Sequence, residues 1–161
     1  MTCPGASAPP LAEQVARSLE RVADLLEGFG ENPHRVRAYR NGAGSFRSHA
    51  GQIARRLAAG TLERLPGIGR ELAAKAAEVA DSGTLAAIAE LESRIPAAAA
   101  RLAALPGVDT KLAIYLSTRL HVETPSHLRQ LVATHMLRTI PWVGPEGELA
   151  VRRGLTELAE G

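Results

Sequence analysis

Cysteine is almost missing from this sequence. Its 161 residues contain one, Cys3, inside a Pro/Ala/Gly-rich start. An internal disulfide is therefore excluded, and a reducing, cytoplasmic setting is expected. Aromatic residues make up 3% of the chain, and runs of β-branched side chains are scarce, so no sheet is expected. Aspartate occurs only as Asp24, Asp81 and Asp109, never as D-x-D, which leaves no clustered carboxylates for a two-metal centre. No H-E-x-x-H, Cys pair or spaced His pair offers zinc ligands, and no G-x-S-x-G or Cys/His pairing suggests hydrolysis. No apolar run reaches the roughly 18 residues of a membrane span. The start lacks the basic and apolar blocks of a signal peptide, so none is read. Net charge is only +2, a mild excess for a non-specific binder of nucleic acid.

What is present is alanine, leucine and helical spacing. The chain is 45% hydrophobic, which with so few aromatics implies an all-α fold with a core of small side chains. Residues 1–10 read as a disordered tail. Leu11 to Glu27 places Val15, Leu19, Val22 and Leu26 on one helical face, and Gly28-Phe-Gly30 ends it. Asn32-Pro33 is a cap followed by a first-turn proline, and it opens a basic helix carrying His34, Arg35, Arg37, Tyr39 and Arg40. Asn41-Gly42 and Gly44 are expected to loosen its end. Further helices are expected over about His49 to Ala58, Glu71 to Asp81, Leu85 to Leu91, from Pro96, over Thr110 to Leu120, and over Glu146 to Leu158. The pattern predicts about nine or ten short helices in two subdomains, 11–93 and 94–161, divided near Ser93–Ala97.

The segment Leu65-Pro-Gly-Ile-Gly-Arg70 stands between two of these helices. Gly67-Ile68-Gly69 bares successive backbone N–H groups where a helix begins, and the helix dipole is positive there. Glycine at both positions removes the side chains that would keep a phosphate away. This is the pattern of a helix-hairpin-helix, which grips nucleic-acid backbone without reading bases. A plain helix–helix turn is the alternative; Leu-Pro before the turn and an Ala-rich helix after it favour the anion site. Leu105-Pro-Gly-Val-Asp109 repeats the unit 40 residues on, and Ile140-Pro-Trp-Val-Gly144 is a weaker third copy. Asp109 replaces the second glycine and sets a carboxylate beside the place of a phosphate, a repulsive arrangement without a cation. Trp142 is expected to fill a core gap or to cover its turn. The first hairpin is the candidate anion site.

These residues resemble the N-terminal part of family X DNA polymerases, the DNA polymerase beta-like family, without the polymerase palm. The best-matching stretch runs from His34 to Leu91: His34-Arg35, Ala38-Tyr39-Arg40, Leu65 to Gly69, Lys75, and Ser82-Gly-Thr-Leu85. Residues from about Pro96 onward are similar to the helix-hairpin-helix subdomain that follows in the family. The resemblance implies a small helical lyase domain that binds gapped DNA at a 5′-phosphate, with Gly67, Gly69, Arg70, His34, Arg35, Tyr39 and Arg40 on DNA. It also implies a monovalent cation, Na+ or K+, on the backbone carbonyls of Glu63, Leu65 and Ile68. Lys75 aligns with the lysine that forms a Schiff base with an abasic sugar. Glu71 and Ala87 stand where the family has further pocket lysines. With no palm and no carboxylate cluster, the chain is not expected to polymerise DNA.

A lysine amine attacks an aldehyde only when neutral, so burial or neighbouring positive charge must favour that form. Glu71 and Glu78 lie at i−4 and i+3 from Lys75 and are expected to pair with it and keep it charged. Lys75 therefore reads either as a lyase nucleophile or as a salt-bridged surface lysine. The neighbouring basic residues, with Arg47, Arg55 and Arg56, form either a phosphate-tracking face or an ordinary solvated one. Three functions follow. The first is a non-sequence-specific DNA-binding module for gapped or damaged DNA in repair, its partner a gap or a single-strand/duplex junction. The second is a stand-alone abasic-site or deoxyribose-phosphate lyase. The third is a helical scaffold turned to protein partners or a small-molecule pathway. No membrane partner is expected.

Overall fold

A computed structural model describes residues 9–160 of the chain. Nine α-helices and three short 3-10 turns account for the regular structure, and no β-strand occurs among the described residues. The all-α expectation is met. None of the described helices is long and apolar enough to cross a membrane. The expected tail covers residues 1–10; of these, 1–8 lie outside the described residues. Pro9 is tied down through its carbonyl, which accepts from Gln14 Nε2 at 2.6 Å.

The chain forms two compact units. One comprises residues up to Leu26 and Asn32–Glu92; the other comprises Glu27–Glu31 and everything from Ser93 onward. Glu27–Glu31 belongs to the second unit although the chain on either side, up to Leu26 and from Asn32, belongs to the first. The reason is local: Glu27 Oε1 pairs with Lys111 Nζ at 2.8 Å, and Gly28 packs against the Lys111 carbonyl and Ile114.

In the first unit, α1 (Leu11–Gly28) buries Ala12, Val15, Ala16, Leu19, Val22, Ala23 and Leu26, the three-and-four spacing of one helical face. Each large apolar side chain so buried contributes about 1.5–3 kcal/mol. α2 (Pro33–Ser48) starts where Asn32 Oδ1 accepts from His34 N at 2.9 Å. It does not loosen at Asn41-Gly42 and Gly44 as expected. It continues to Ser48 because Gly42, Ala43 and Phe46 are buried, and tertiary packing outweighs the low helix propensity of glycine. α3 is short (Ile53–Ala59), because Ala50–Gln52 forms a 3-10 turn ahead of it. α4 (Arg70–Ser82) and α5 (Ala86–Ser93) complete the unit.

The second unit contains α6 (Ala97–Ala103), α7 (Thr110–Arg119), α8 (Pro125–Ala133) and α9 (Gly144–Glu160). α8 was not foreseen. Its signal was present, since Thr124 Oγ1 accepts from His127 N at 3.2 Å and Pro125 occupies the first turn. Glu148 on α9 is 1% exposed. Its carboxylate accepts from Arg138 N at 3.1 Å and Arg138 Nη2 at 2.9 Å, and pairs with His135 Nδ1 at 2.7 Å. Burial alone would push this carboxyl up; the bonds from His135 and Arg138 win and hold it down at about 2. His135 adopts a left-handed backbone, φ 59°, which is strained for a residue with a side chain.

Candidate nucleic-acid interface

The first hairpin is built by its two apolar residues. α3 stops at Gly60, a 3-10 turn follows at Leu62–Arg64, and Leu65 then runs extended. Leu65 and Ile68 are buried, 6% and 2% exposed, and pin the turn to the core. Pro66, Gly67 and Gly69 between and beside them face solvent. Ile68 N donates to Leu65 O at 3.1 Å and closes the turn. Gly67 sits at φ +83°, in the left-handed region that favours glycine. Gly69 caps α4 in an extended conformation, φ −89° and ψ −174°, with no side chain bonding the helix start. A methyl on Gly69 would meet nothing within 4 Å. Among the described residues, neither the Gly67 nor the Gly69 amide finds an acceptor.

Beside the turn lies a cleft of about 310 Å³, lined by Arg35, Ala38, Tyr39, Gly69, Glu71, Leu72 and Lys75. The Lys75 ammonium stands 5.6 Å from the centroid of the buried Tyr39 ring, whose electron-rich face attracts it. The expected pairing of Lys75 with Glu71 and Glu78 is not made. Glu78 Oε2 instead accepts from Ala86 N at 3.2 Å, satisfying the start of α5, and no ion pair to Lys75 occurs among the described residues. Residues 11–85 match the helix-hairpin-helix domain family. No curated protein matches the chain. The match points to nucleic-acid binding as the general activity of this region. It ends before the turns at 105–109 and 140–144.

Within the helix-hairpin-helix region, the sequence-derived residues divide. Gly69, Arg35, Tyr39 and Lys75 come together at the cleft, and Gly67 adjoins on the exposed turn. Arg70 lines a second groove on the other side of the α4 start, with Leu57, Gly60, Leu62, Glu63, Ala73 and Ala74. His34 is exposed at the first turn of α2 and lines neither groove. Arg40 turns toward α1, where its Nη2 lies 3.0 Å from Asp24 Oδ1. Of the carbonyls at Glu63, Leu65 and Ile68, Leu65 O already accepts the Ile68 amide.

Ion pairing separates the arginines of this region into two sets. Arg17, Arg21, Arg40 and Arg47 meet carboxylates: Glu13, Glu92, Asp24, and both Glu13 and Glu20. The hydrogen bond from Arg47 holds the Glu13 carboxyl down at about 2. Arg47, expected on a phosphate-tracking face, is therefore neutralised. Arg35, Arg37, Arg55, Arg64 and Arg70 have no carboxylate partner among the described residues. The arginines with no carboxylate partner among the described residues of this region thus lie on α2, on α3 and around the hairpin.

The other two turns are arranged differently. Asp109 Oδ1 accepts from Leu112 N at 2.8 Å, so the start of α7 is capped by the protein itself. Gly107, φ +85°, lies on α9, and a methyl there would strike the Ala150 carbonyl. Trp142 is not in the core. It is partly exposed, meets the Tyr115 ring edge-on with centroids 5.6 Å apart, and receives the Lys111 ammonium 4.3 Å from its own centroid. One residue beside the first hairpin was missed from sequence, Ser45 of α2. A serine inside a helix carries no local signal of what it faces.

Proposed function

We propose that the protein is a non-sequence-specific DNA-binding module of gapped or damaged DNA, with the first hairpin as its phosphate anchor. The observation that carries this is the pair of amides at Gly67 and Gly69, which find no acceptor among the described residues, beside arginines that pair with no carboxylate there. Phosphate contacts fix a duplex without reading its sequence, and no base-reading element is needed. Glu63 O and Ile68 O accept no backbone bond among the described residues, and with Leu65 O they make an all-oxygen set suited to Na+ or K+. Such an ion would neutralise charge between turn and phosphate. The test is a fluorescence-anisotropy titration of gapped, blunt and single-stranded DNA across a salt series. Affinity should be similar for unrelated sequences, and log Kobs should fall with log salt by about 0.9 per phosphate engaged. No binding to gapped duplex at low salt would remove the proposal.

A second reading rests on Lys75, whose amine pairs with no carboxylate among the described residues and opens into the cleft with Arg35. In the lyase reading, which follows the family X resemblance, this amine adds to the ring-opened aldehyde of an abasic sugar. Water leaves to give an iminium, the adjacent C–H loses its proton, and the 3′-phosphate departs as the leaving group. Borohydride would reduce the iminium and trap the adduct. Trapping that Lys75→Ala abolishes, with DNA binding kept, supports the lyase; absence of trapping leaves the binding module alone.

A further inference from the structure

The hydroxyl of Ser45, on α2, is placed directly against Gly67 of the hairpin. A methyl built on Gly67 would collide with Ser45 Oγ and come within 3.2 Å of its Cβ. Several helical serines and threonines elsewhere turn their hydroxyls back on their own helix: Ser18 to Gln14 O at 2.9 Å, Ser48 to Gly44 O at 2.9 Å, Ser82 to Glu78 O at 2.9 Å, Thr118 to Ile114 O at 2.7 Å. This back-bonding is the ordinary local choice. Ser45 does not make it, and its Oγ has no hydrogen-bond partner among the described residues. It is half-buried, so water reaches it only in part.

We infer that Ser45 Oγ is a third phosphate donor of the hairpin, acting with the Gly67 and Gly69 amides on one backbone phosphate. This rests on the DNA-binding reading above. A hydroxyl is suited to the place because it donates to an anion without carrying charge, and because it fits under a residue that has no side chain. It adds hydrogen bonding without adding counterion release, so its signature differs from that of an arginine. An acidic group there would do the reverse, filling the hairpin with the protein's own anion as Asp109 does at α7.

The experiment compares the full chain with Ser45→Ala and Ser45→Asp, using anisotropy on gapped duplex across salt and thermal melting of each protein. Ser45→Ala should bind about tenfold more weakly at every salt concentration, with the log–log salt slope and the melting temperature unchanged. Ser45→Asp should lose most remaining affinity. Equal binding by wild type and Ser45→Ala overturns the inference and leaves the DNA-binding reading standing. A loss accompanied by lower melting temperature or a changed slope also overturns it, because the hydroxyl would then support the turn. A wild-type chain that fails to bind removes both.

Discussion

The first and second hairpins share a frame and differ in their surroundings. Leu65-Pro-Gly-Ile and Leu105-Pro-Gly-Val close the same turn, with N–H to carbonyl distances of 3.1 Å in each and the middle glycine at φ +83° and +85°. Both following helices start from an extended residue, Gly69 at φ −89° and Asp109 at φ −86°. In the first, the helix start has no side-chain cap and open space over Gly69. In the second, Asp109 occupies the helix start, and α9 covers the Pro106–Gly107 turn so closely that a methyl on Gly154 would strike the Pro106 carbonyl, 2.5 Å from its carbon. Four residues therefore set the backbone of such a turn. Whether it can take an external anion is set by the fifth residue and by a helix some 45 residues away.

The most forceful way to break the comparison is at Gly154. Replacing a mid-helix glycine by alanine ordinarily gains about 1 kcal/mol. Here the methyl has backbone on its far side, and backbone cannot swing away. Gly154→Ala should cost about 4 kcal/mol or more, the range reserved for a specific structural fault. Denaturant unfolding followed by circular dichroism should show the second unit melting early. An unchanged midpoint would mean that α9 does not bear on the turn as described.

Next in size is Glu148, which fixes α9 against the His135–Arg138 segment. Removing one member of a buried ion pair costs about 3–5 kcal/mol, and Glu148→Ala should fall near the lower end because His135 and Arg138 are half exposed. The pH dependence has a defined sign. The folded carboxyl lies at about 2, below its ordinary 4.5. Its contribution is fully present above about 4.5 and is lost as pH falls toward about 2. Acid melting curves of wild type and Glu148→Ala should converge in that window, and the first hairpin's DNA affinity should be unaffected by the substitution at neutral pH.

Much of this arrangement was readable from the chain, and the division is physical. Turns and caps are local: Asn32-Pro33, Gly60 and the Leu-Pro-Gly repeats follow from backbone chemistry within a few residues. Ser45, Gly154 and the partners of Glu148 depend on contacts between separate elements, which no local pattern announces. The extension of α2 through Gly42 was missed for the same reason, since burial against other helices overrides a local propensity. α8 was a different kind of miss: Thr124-Pro125 is a local signal, and the short apolar spacing behind it, Leu128 and Val132, was too brief to stand out.

A smaller effect separates fold from function at Gly69. Its extended backbone suits any residue, and nothing lies within 4 Å of an added methyl. Gly69→Ala should cost less than about 1 kcal/mol in stability. The methyl would stand in the path of a phosphate, and DNA affinity should fall about tenfold, or about 1.4 kcal/mol. Full affinity in the alanine variant would move the phosphate away from this turn.

The smallest expected effect is the most instructive for the comparison. Asp109→Gly converts the second turn to the Gly-x-Gly of the first. Glycine is itself a tolerated cap, so the loss of the bond to Leu112 N should cost only a few tenths of a kcal/mol. If sequence alone decided which hairpin binds, this substitution would create a second anion site and raise DNA affinity. The structure argues otherwise: with Asp109 gone, the Pro106–Gly107 turn still lies on Ala150 and Gly154, and a phosphate cannot reach it without displacing α9. Asp109→Gly should therefore leave affinity and salt slope at their wild-type values. A steeper salt slope with tighter binding would show that the carboxylate was the only barrier, and that α9 yields to a ligand at little cost.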